Sequence, residues 1–337
     1  MDQSQLSFFV ATLSLFLLAL GCSLLLHPLA IHLGKLFKIY AAPADRRLSN
    51  EPIPRTGGVL LGLLCVVVLL FAQKFTLTLP FTASIGILLI LGLYDDKKDL
   101  PAFYQAIGIV VAAVIVAVWG EMQVPFVSSP FGGYVFIPTT VGIVLAIAWV
   151  FLLINSLNWL DGMDGLAGSV SFVAVLFLAI LSWTLGQYPA VEGLAVVLGA
   201  LLGFLFFNRK PAHIYLGSAG VYILGLWIAF FSLQGGAKLA ATMMVMITPI
   251  LDAGVTFLRR WIEKKPVHKP DNRHGFHALL AQGFTHNQVI GIYIGITILF
   301  GFLSLVSNTV IKISAIIFAL IVLGKVLLTI EQTNKKK

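Results

Sequence analysis

Eleven apolar runs separated by short polar segments constrain this 337-residue chain more than any other feature of it. Their approximate limits are Leu6–Leu26, Gly57–Ala72, Leu79–Tyr94, Phe103–Trp119, Val141–Leu157, Leu166–Leu185, Ala190–Phe207, Leu216–Leu233, Leu239–Leu258, Val289–Leu305 and Val310–Ile330. Several fall short of the roughly 20 residues that cross a bilayer as a helix, so their ends extend into the flanks. Only 11% of the residues are charged against 59% hydrophobic, and mean hydropathy is +0.98. Such a chain belongs in a bilayer rather than around a soluble core. The expected fold is an all-α integral membrane protein of about eleven transmembrane helices, a single polytopic domain over residues 1–337.

Charge sets the expected orientation. Nineteen of the 22 Lys and Arg residues fall in one set of loops, and only Lys74, Lys238 and Lys312 lie opposite. By the positive-inside rule the rich side is cytoplasmic, with the N-terminus outside and the C-terminus cytoplasmic. The net charge of +8 is explained by these loops and calls for no nucleic-acid partner. The first run follows Asp2 rather than a basic segment and lacks a small-residue cleavage site, so it reads as a retained helix. Cys22 and Cys65 sit inside apolar runs, where they offer neither a disulfide framework nor metal-site spacing.

Candidate chemistry collects on the basic side. The segment Asn155-x-x-Asn158-x-x-Asp161-Gly-x-Asp164 lies between two apolar runs. A continued helix would put Asn158, Asp161 and Asp164 on one face. Gly162 and Gly165 are where such a helix would break, and in either case the two carboxylates stay close. A carboxylate pair at a membrane edge suits a hard cation, whereas a plain polar turn does not need the ladder. Asp95-Asp96, at the end of another apolar run, suits Mg²⁺ shared with phosphates, or a base acting on a nucleophile. By itself an Asp-Asp pair is more often a solvated loop. The first basic loop carries Arg46, Arg47 and Arg55, whose guanidinium forks match phosphate but equally fit plain positive-inside charge. Gly57-Gly58 then allows close backbone approach as the second helix begins. Met122 to Pro138 alternates around Pro-Phe-Gly-Gly, which predicts a small hairpin without chemistry.

The chain resembles the polyprenyl-phosphate N-acetylhexosamine-1-phosphate transferases, glycosyltransferase family 4, which include the MraY enzyme of peptidoglycan synthesis. The likeness covers nearly the whole length. Its most specific parts are Asp95-Asp96, the Asn155 to Ala167 segment, Pro52-Ile-Pro-Arg55-x-Gly57-Gly58, and Asp252 followed by Arg259-Arg260. The resemblance implies attack of a prenyl phosphate oxygen on the β-phosphorus of a UDP-sugar, releasing UMP and leaving a diphosphate-linked sugar on the lipid. It implies Mg²⁺, with Mn²⁺ as an alternative, bound by Asp96, Asp161 and Asp164. Asp95, Asp96, Asp161 and Asp164 become the catalytic candidates. Asn158, Arg47, Arg55, Arg260, Arg273, His274 and His277 become the substrate-binding candidates. Implied partners are the lipid phosphate, the UDP-sugar and the membrane, with a homodimer as an open alternative. The implied place is the bacterial plasma membrane with the site facing the cytoplasm.

The chain departs from the family pattern at particular positions. Ser218 stands where the family carries a metal-ligating Asp, Val221 where it has Ser, and Gln105 where a Lys is common. The His-rich motif reads His274-Gly-Phe276-His277-Ala278, and Ala41 and Ser49 replace an Asp and a His of the first loop. Two readings follow: an active transferase, with UDP-N-acetylglucosamine the preferred donor and a cell-envelope polymer begun, or a relative that keeps the fold for lipid-phosphate binding or regulation. A transporter would need charged or broken helices at mid-membrane, whereas the acidic groups here sit at run ends.

Overall fold

The computed structural model describes residues 3–40, 52–71, 79–129, 131–234, 238–264, 274–306 and 308–335. The chain is an all-α, multi-pass membrane protein. Seven helices among the described residues are long and apolar enough to cross a bilayer, and eight if a bent pair counts as one span. Three shorter apolar helices add to these, Gly57–Val67, Gly217–Leu233 and Thr309–Val322.

In chain order the helices are α1 (Gln3–Leu36), α2 (Gly57–Phe71), α3 (Leu79–Lys98), α4 (Ala102–Val114), α5 (Thr139–Leu160), α6 (Leu166–Thr184) and α7 (Tyr188–Asn208). Then follow α8 (Gly217–Leu233), α9 (Leu239–Val245), α10 (Ile247–Ile262), α11 (Gly275–Ala281), α12 (His286–Ser304) and α13 (Thr309–Lys335). A π-helical turn, Ile115–Trp119, extends α4. The hairpin expected after it is present: β1 (Phe126–Ser128) pairs antiparallel with β2 (Tyr134–Phe136) in the register Val127 to Val135. It precedes α5, so it lies at the end of α5 opposite the Asn/Asp segment.

The core is built on α8, which packs against α2, α3 and α5 and buries Tyr222, Trp227 and Phe231 completely. Trp227 meets Phe81 of α3 edge-on at 4.8 Å and stacks on Phe231 at 5.5 Å. In lipid such close packing, rather than water exclusion, holds helices together, so small residues gather at crossings. α2 crosses α8 at Gly58, where an added Cβ would stand 1.9 Å from the Gly220 Cα. The Gly58 N–H donates to the Leu216 carbonyl at 2.9 Å across the same crossing. The Gly57-Gly58 pair thus does what its composition suggests. A second crossing sets α1 along α7, where Ser23 Oγ donates to the Ala200 carbonyl at 2.8 Å.

The structure differs from the sequence expectation in two places. The run Leu239–Leu258 is not one helix: it breaks at Met246 between α9 and α10, with a bend of 76°. Pro249 accounts for the break, because it lacks the N–H that would bond Val245 and its ring crowds that carbonyl. The segment expected as the last long loop also contains a helix, α11.

Replacing Gly58 with Val should disrupt the α2–α8 crossing by about 1–3 kcal/mol or more, as overpacking does elsewhere. The expected result is a lower thermal midpoint in detergent for Gly58→Val, with no comparable loss for Gly86→Val, where nothing lies within 4 Å of an added Cβ.

Candidate active site

Asp95 and Asp96 occupy the last turn of α3 and are both buried. The start of α8 lies against them. Ser218 donates its backbone N–H to Asp96 Oδ1 at 2.9 Å, and Ala219 donates to Oδ2 at 3.4 Å. These are donors a helix leaves without internal partners, at the positive end of its dipole. The Arg55 guanidinium stands 3.7 Å from Asp96 and 3.9 Å from the exposed Asp99. Arg55 is itself pinned, donating its N–H to the Ile39 carbonyl at 3.1 Å, while Pro54 accepts from Tyr215 at 2.8 Å. Gly217 makes this approach possible. Its φ is +73°, and a Cβ would stand 2.5 Å from the Arg55 carbonyl oxygen and 2.7 Å from Asp96 Oδ2.

Asp95 is held by a separate set of donors. Its Oδ1 accepts from Leu100 N–H and Gln105 Nε2, each at 2.8 Å, and its Oδ2 accepts from Ser218 Oγ at 2.6 Å. Tyr222 OH donates in turn to Gln105 Oε1 at 3.1 Å. Ser218 and Gln105, two of the departures from the family pattern, therefore meet on one carboxylate. One side chain that would be negative and one that would be positive are both neutral here.

The Asn/Asp ladder does not run along one helix face. α5 ends at Leu160, Asp161 follows as its cap, and Gly165 at φ +76° opens α6. The two glycines break the helix, as their low propensity favours. Asn158 remains on the last turn of α5, and Asn155 donates to the Phe151 carbonyl one turn back at 2.8 Å. Asp164 Oδ2 accepts from Ala212 N–H at 3.2 Å. The carboxylates stay close by a tight turn instead. Asp161 has the Gly217 N–H, Arg55, Asp96 and Asp164 within electrostatic reach. Burial pushes its carboxyl up to about 7, with Arg55 opposing the rise and Asp96 adding to it.

The His-bearing segment adjoins this turn. Gly275 donates its N–H to Asp252 Oδ1 at 2.7 Å, and His274 Nδ1 lies 3.6 Å from Asp252 Oδ2. The His274 ring is stacked on Phe276 at 5.7 Å and stands 6.1 Å from Trp159 of α5. Phe276 fills the space over Gly162, and His277 lies against Phe276 with ring centroids 4.2 Å apart. Arg260 is buried on the last turn of α10. Arg47 and Arg273 lie outside the described residues.

Three side chains were not singled out in the sequence. Asn208 ties the turn to the next loop, accepting from Gly165 N–H at 3.0 Å and donating to the Ile214 carbonyl at 2.8 Å. His286 Nε2 contacts the Asp164 carbonyl at 2.9 Å, and Tyr222 completes the Gln105 network. An amide closing an apolar run was the available signal for Asn208. Tyr222 lies inside an apolar run and gave none.

The site's fit to a divalent cation follows from how its oxygens are used. No three or more His, Cys, Asp or Glu side chains among the described residues form a ready-made ion cage. Asp95 and Asp96 have a protein donor on each oxygen, whereas the desolvation of Asp161 is opposed only by the more distant Arg55 and the Gly217 N–H. That suits an ion of the Mg²⁺ kind, which takes one or two carboxylates and completes its shell with phosphate oxygens and water.

Carboxylates and an arginine thus gather at a helix N-terminus, an end that readily holds an anion such as a phosphate. The family described as Glycosyl transferase family 4 matches residues 78–236. The chain is 30% identical over 337 aligned residues to a probable undecaprenyl-phosphate N-acetylglucosaminyl 1-phosphate transferase of Bacillus subtilis, covering 96% of this chain and 90% of that one. It is 27% identical to a decaprenyl-phosphate N-acetylglucosaminephosphotransferase of Mycolicibacterium smegmatis, over 78% of this chain and 74% of that one. An undecaprenyl-phosphate alpha-N-acetylglucosaminyl 1-phosphate transferase of Escherichia coli K12 is 24% identical, over 62% and 59%. The chain belongs to glycosyltransferase family 4, among proteins related to the polyprenyl-phosphate N-acetylhexosamine-1-phosphate transferases. The reaction type of that group is sugar-1-phosphate transfer to a polyprenyl phosphate, generally with a metal.

Ser218→Asp sets a carboxylate where the hydroxyl now donates to Asp95, so it should lower the thermal midpoint in EDTA. Adding Gln105→Lys should recover much of the loss, with a coupling of about 0.5–3 kcal/mol in a double-mutant cycle. Additive effects would show that the two positions do not act through Asp95.

Proposed function

We propose that the protein transfers N-acetylglucosamine-1-phosphate from UDP-N-acetylglucosamine to undecaprenyl phosphate or a similar polyprenyl phosphate, beginning a cell-envelope glycan. The observation that carries this reading is Asp161, half-buried and within electrostatic reach of Arg55 and Asp96 at the start of α8. The lipid phosphate oxygen forms a bond to the β-phosphorus of the donor, the bond from that phosphorus to the bridging oxygen breaks, and UMP leaves. Bound Mg²⁺ neutralises diphosphate charge, and Asp161, Asp164 and Asp96 are the residues to hold it. Arg55, with Arg47, takes the phosphates. Asn158, Arg260, Arg273, His274 and His277 bind the nucleotide-sugar. Asp95, saturated by three donors, positions Ser218 and Gln105 next to the reacting groups and handles the acceptor's proton when those bonds exchange.

The same reading sets the protein in a bacterial plasma membrane as one polytopic unit over residues 1–337. Its eleven crossings put the N-terminus outside and the C-terminus and the site in the cytoplasm. The distribution of Lys and Arg supports this orientation. The names of the relatives support the sugar, since they specify N-acetylglucosamine.

The test is UMP release by purified protein with undecaprenyl phosphate, Mg²⁺ and a panel of UDP-sugars. Lipid-dependent release with UDP-N-acetylglucosamine is expected. Asp96→Asn and Asp161→Asn should each cost about 10²–10³ in rate, the scale of losing one electrostatic stabiliser, and Asp95→Asn should also impair transfer. Silence across the panel, beside an active relative, would favour a binding or regulatory protein instead.

The pH dependence of the metal requirement follows from Asp161. With its carboxyl near 7, a proton holds the group below that pH and competes with a cation, and above it the carboxylate is available. Half-saturating Mg²⁺ should therefore fall about tenfold between pH 6 and pH 8, with proton release per bound ion close to one at the acid end and fading toward pH 8. Asp161→Asn should flatten this trend in a direct Mg²⁺-binding titration.

A further inference from the structure

A second polar site lies on the flank of the bundle. A cavity of about 600 Å³ opens between α1 and the segment that follows α7, and its lining includes Ile31, Phe207, Arg209, Lys210 and His213. One wall is apolar and belongs to spanning helices. The other carries two fixed cations and an imidazole, all three residues exposed. Among the described residues no carboxylate pairs with Arg209 or Lys210. The Arg209 guanidinium lies 4.7 Å over the ring of Phe206 at the end of α7.

The surface beside the cavity is a lane for a hydrocarbon chain. Leu202 and Phe206 are one helical turn apart on α7 and expose 39% and 54% of their surfaces. Leu24 and Pro28, likewise one turn apart on α1, are exposed beside them. In a multi-pass membrane protein such side chains face lipid. An apolar lane ending in a basic pocket at helix ends is the pattern that holds anionic lipid headgroups.

The geometry points to a binding site for the phosphate headgroup of an anionic glycerophospholipid, with Arg209, Lys210 and His213 on the phosphate and an acyl chain along the α1–α7 lane. The polyprenyl phosphate acceptor is the other source of the same chemistry. The bilayer lipid is favoured because these three residues are not among the groups gathered around Asp161, where an acceptor phosphate has to arrive. Occupancy also bears on the candidate active site. The segment that carries the three residues supplies the Ala212 N–H held by Asp164, and Asn208 anchors it to the turn at Gly165. A lipid gripping residues 209–213 steadies the donor that fixes Asp164.

The experiment is native mass spectrometry of the full chain with phosphatidylglycerol, phosphatidylcholine or undecaprenyl phosphate, a binding readout independent of turnover. The parent should retain phosphatidylglycerol at least tenfold better than phosphatidylcholine, and an Arg209→Gln/Lys210→Gln double variant should lose that preference. Ile31→Trp, which fills the cavity without altering charge, should lower retention as well and decides the matter if the double variant misfolds. Phosphatidylglycerol should also slow hydrogen exchange over residues 209–216 in the parent. Unchanged retention in the variants, equal retention of the two phospholipids, or displacement of phosphatidylglycerol by equimolar undecaprenyl phosphate would overturn the assignment. Unchanged exchange would overturn the link to Asp164.

Discussion

Two adjacent carboxylates taken out of water at the end of a helical bundle must be met by donors, and the start of α8 meets them. Removing an ionised group from water costs several kcal/mol, and a hydrogen bond to a charged group returns about 1.5–3 kcal/mol. Asp96 therefore needs both backbone donors of Ser218 and Ala219 together with Arg55. That requirement fixes the approach of α3 to α8, where a Cβ on Gly92 would stand 2.2 Å from the Ala219 Cα. It also requires the left-handed backbone at Gly217 and holds the Pro54-Arg55 segment against the same helix start. Asp161 is left with less compensation than its neighbours. Desolvation raises its pKa against the pull of Arg55, and a cation adding there would offset that cost.

The broad fold was legible because a bilayer permits few alternatives. Apolar runs of this length have to be helices, and helices overlie all eleven of them, one broken in two and most with ends shifted by a few residues. Larger extensions occur at α1, which continues ten residues past Leu26 through Pro28, and at α13. The break at Met246 was missed because hydropathy does not register backbone geometry. Pro249 carried the signal, but proline is tolerated inside membrane helices, as Pro28 of α1 shows, so its presence alone did not decide the matter. The helix α11 escaped because seven residues give too little periodicity to recognise.

Legibility of the site was uneven for a different reason. Residue types and spacing are local, so the acidic pairs at 95–96 and 161–164 were readable, as was their nearness across a glycine-rich turn. Much of what each carboxylate touches is not local, although Asp95 also takes donors from nearby Leu100 and Gln105. The α8 partners of Asp95 and Asp96 lie 122 and 123 residues away at Ser218 and Ala219, and Asn208 reaches back 43 residues to Gly165. Of the two outcomes open for Asn158, Asp161 and Asp164, the chain took the turn at Gly162 and Gly165 rather than a continued helix face.

Distance in sequence also hid the meaning of the departures from the family pattern. Taken one at a time, Ser218, Gln105 and Phe276 look like independent losses. In space, Ser218 and Gln105 share Asp95, and each oxygen of that carboxylate has a donor. Phe276 is 1% exposed, stacked on His274 and seated over the glycine of the acidic turn. Neutral drift after loss of function leaves cavities and unpaired polar groups, because nothing selects the compensating partner. These substitutions instead remove opposite charges around one group and fill the space beside another. They describe a site repacked around a different charge balance, which favours the transferase proposed above over a relative that has lost its chemistry.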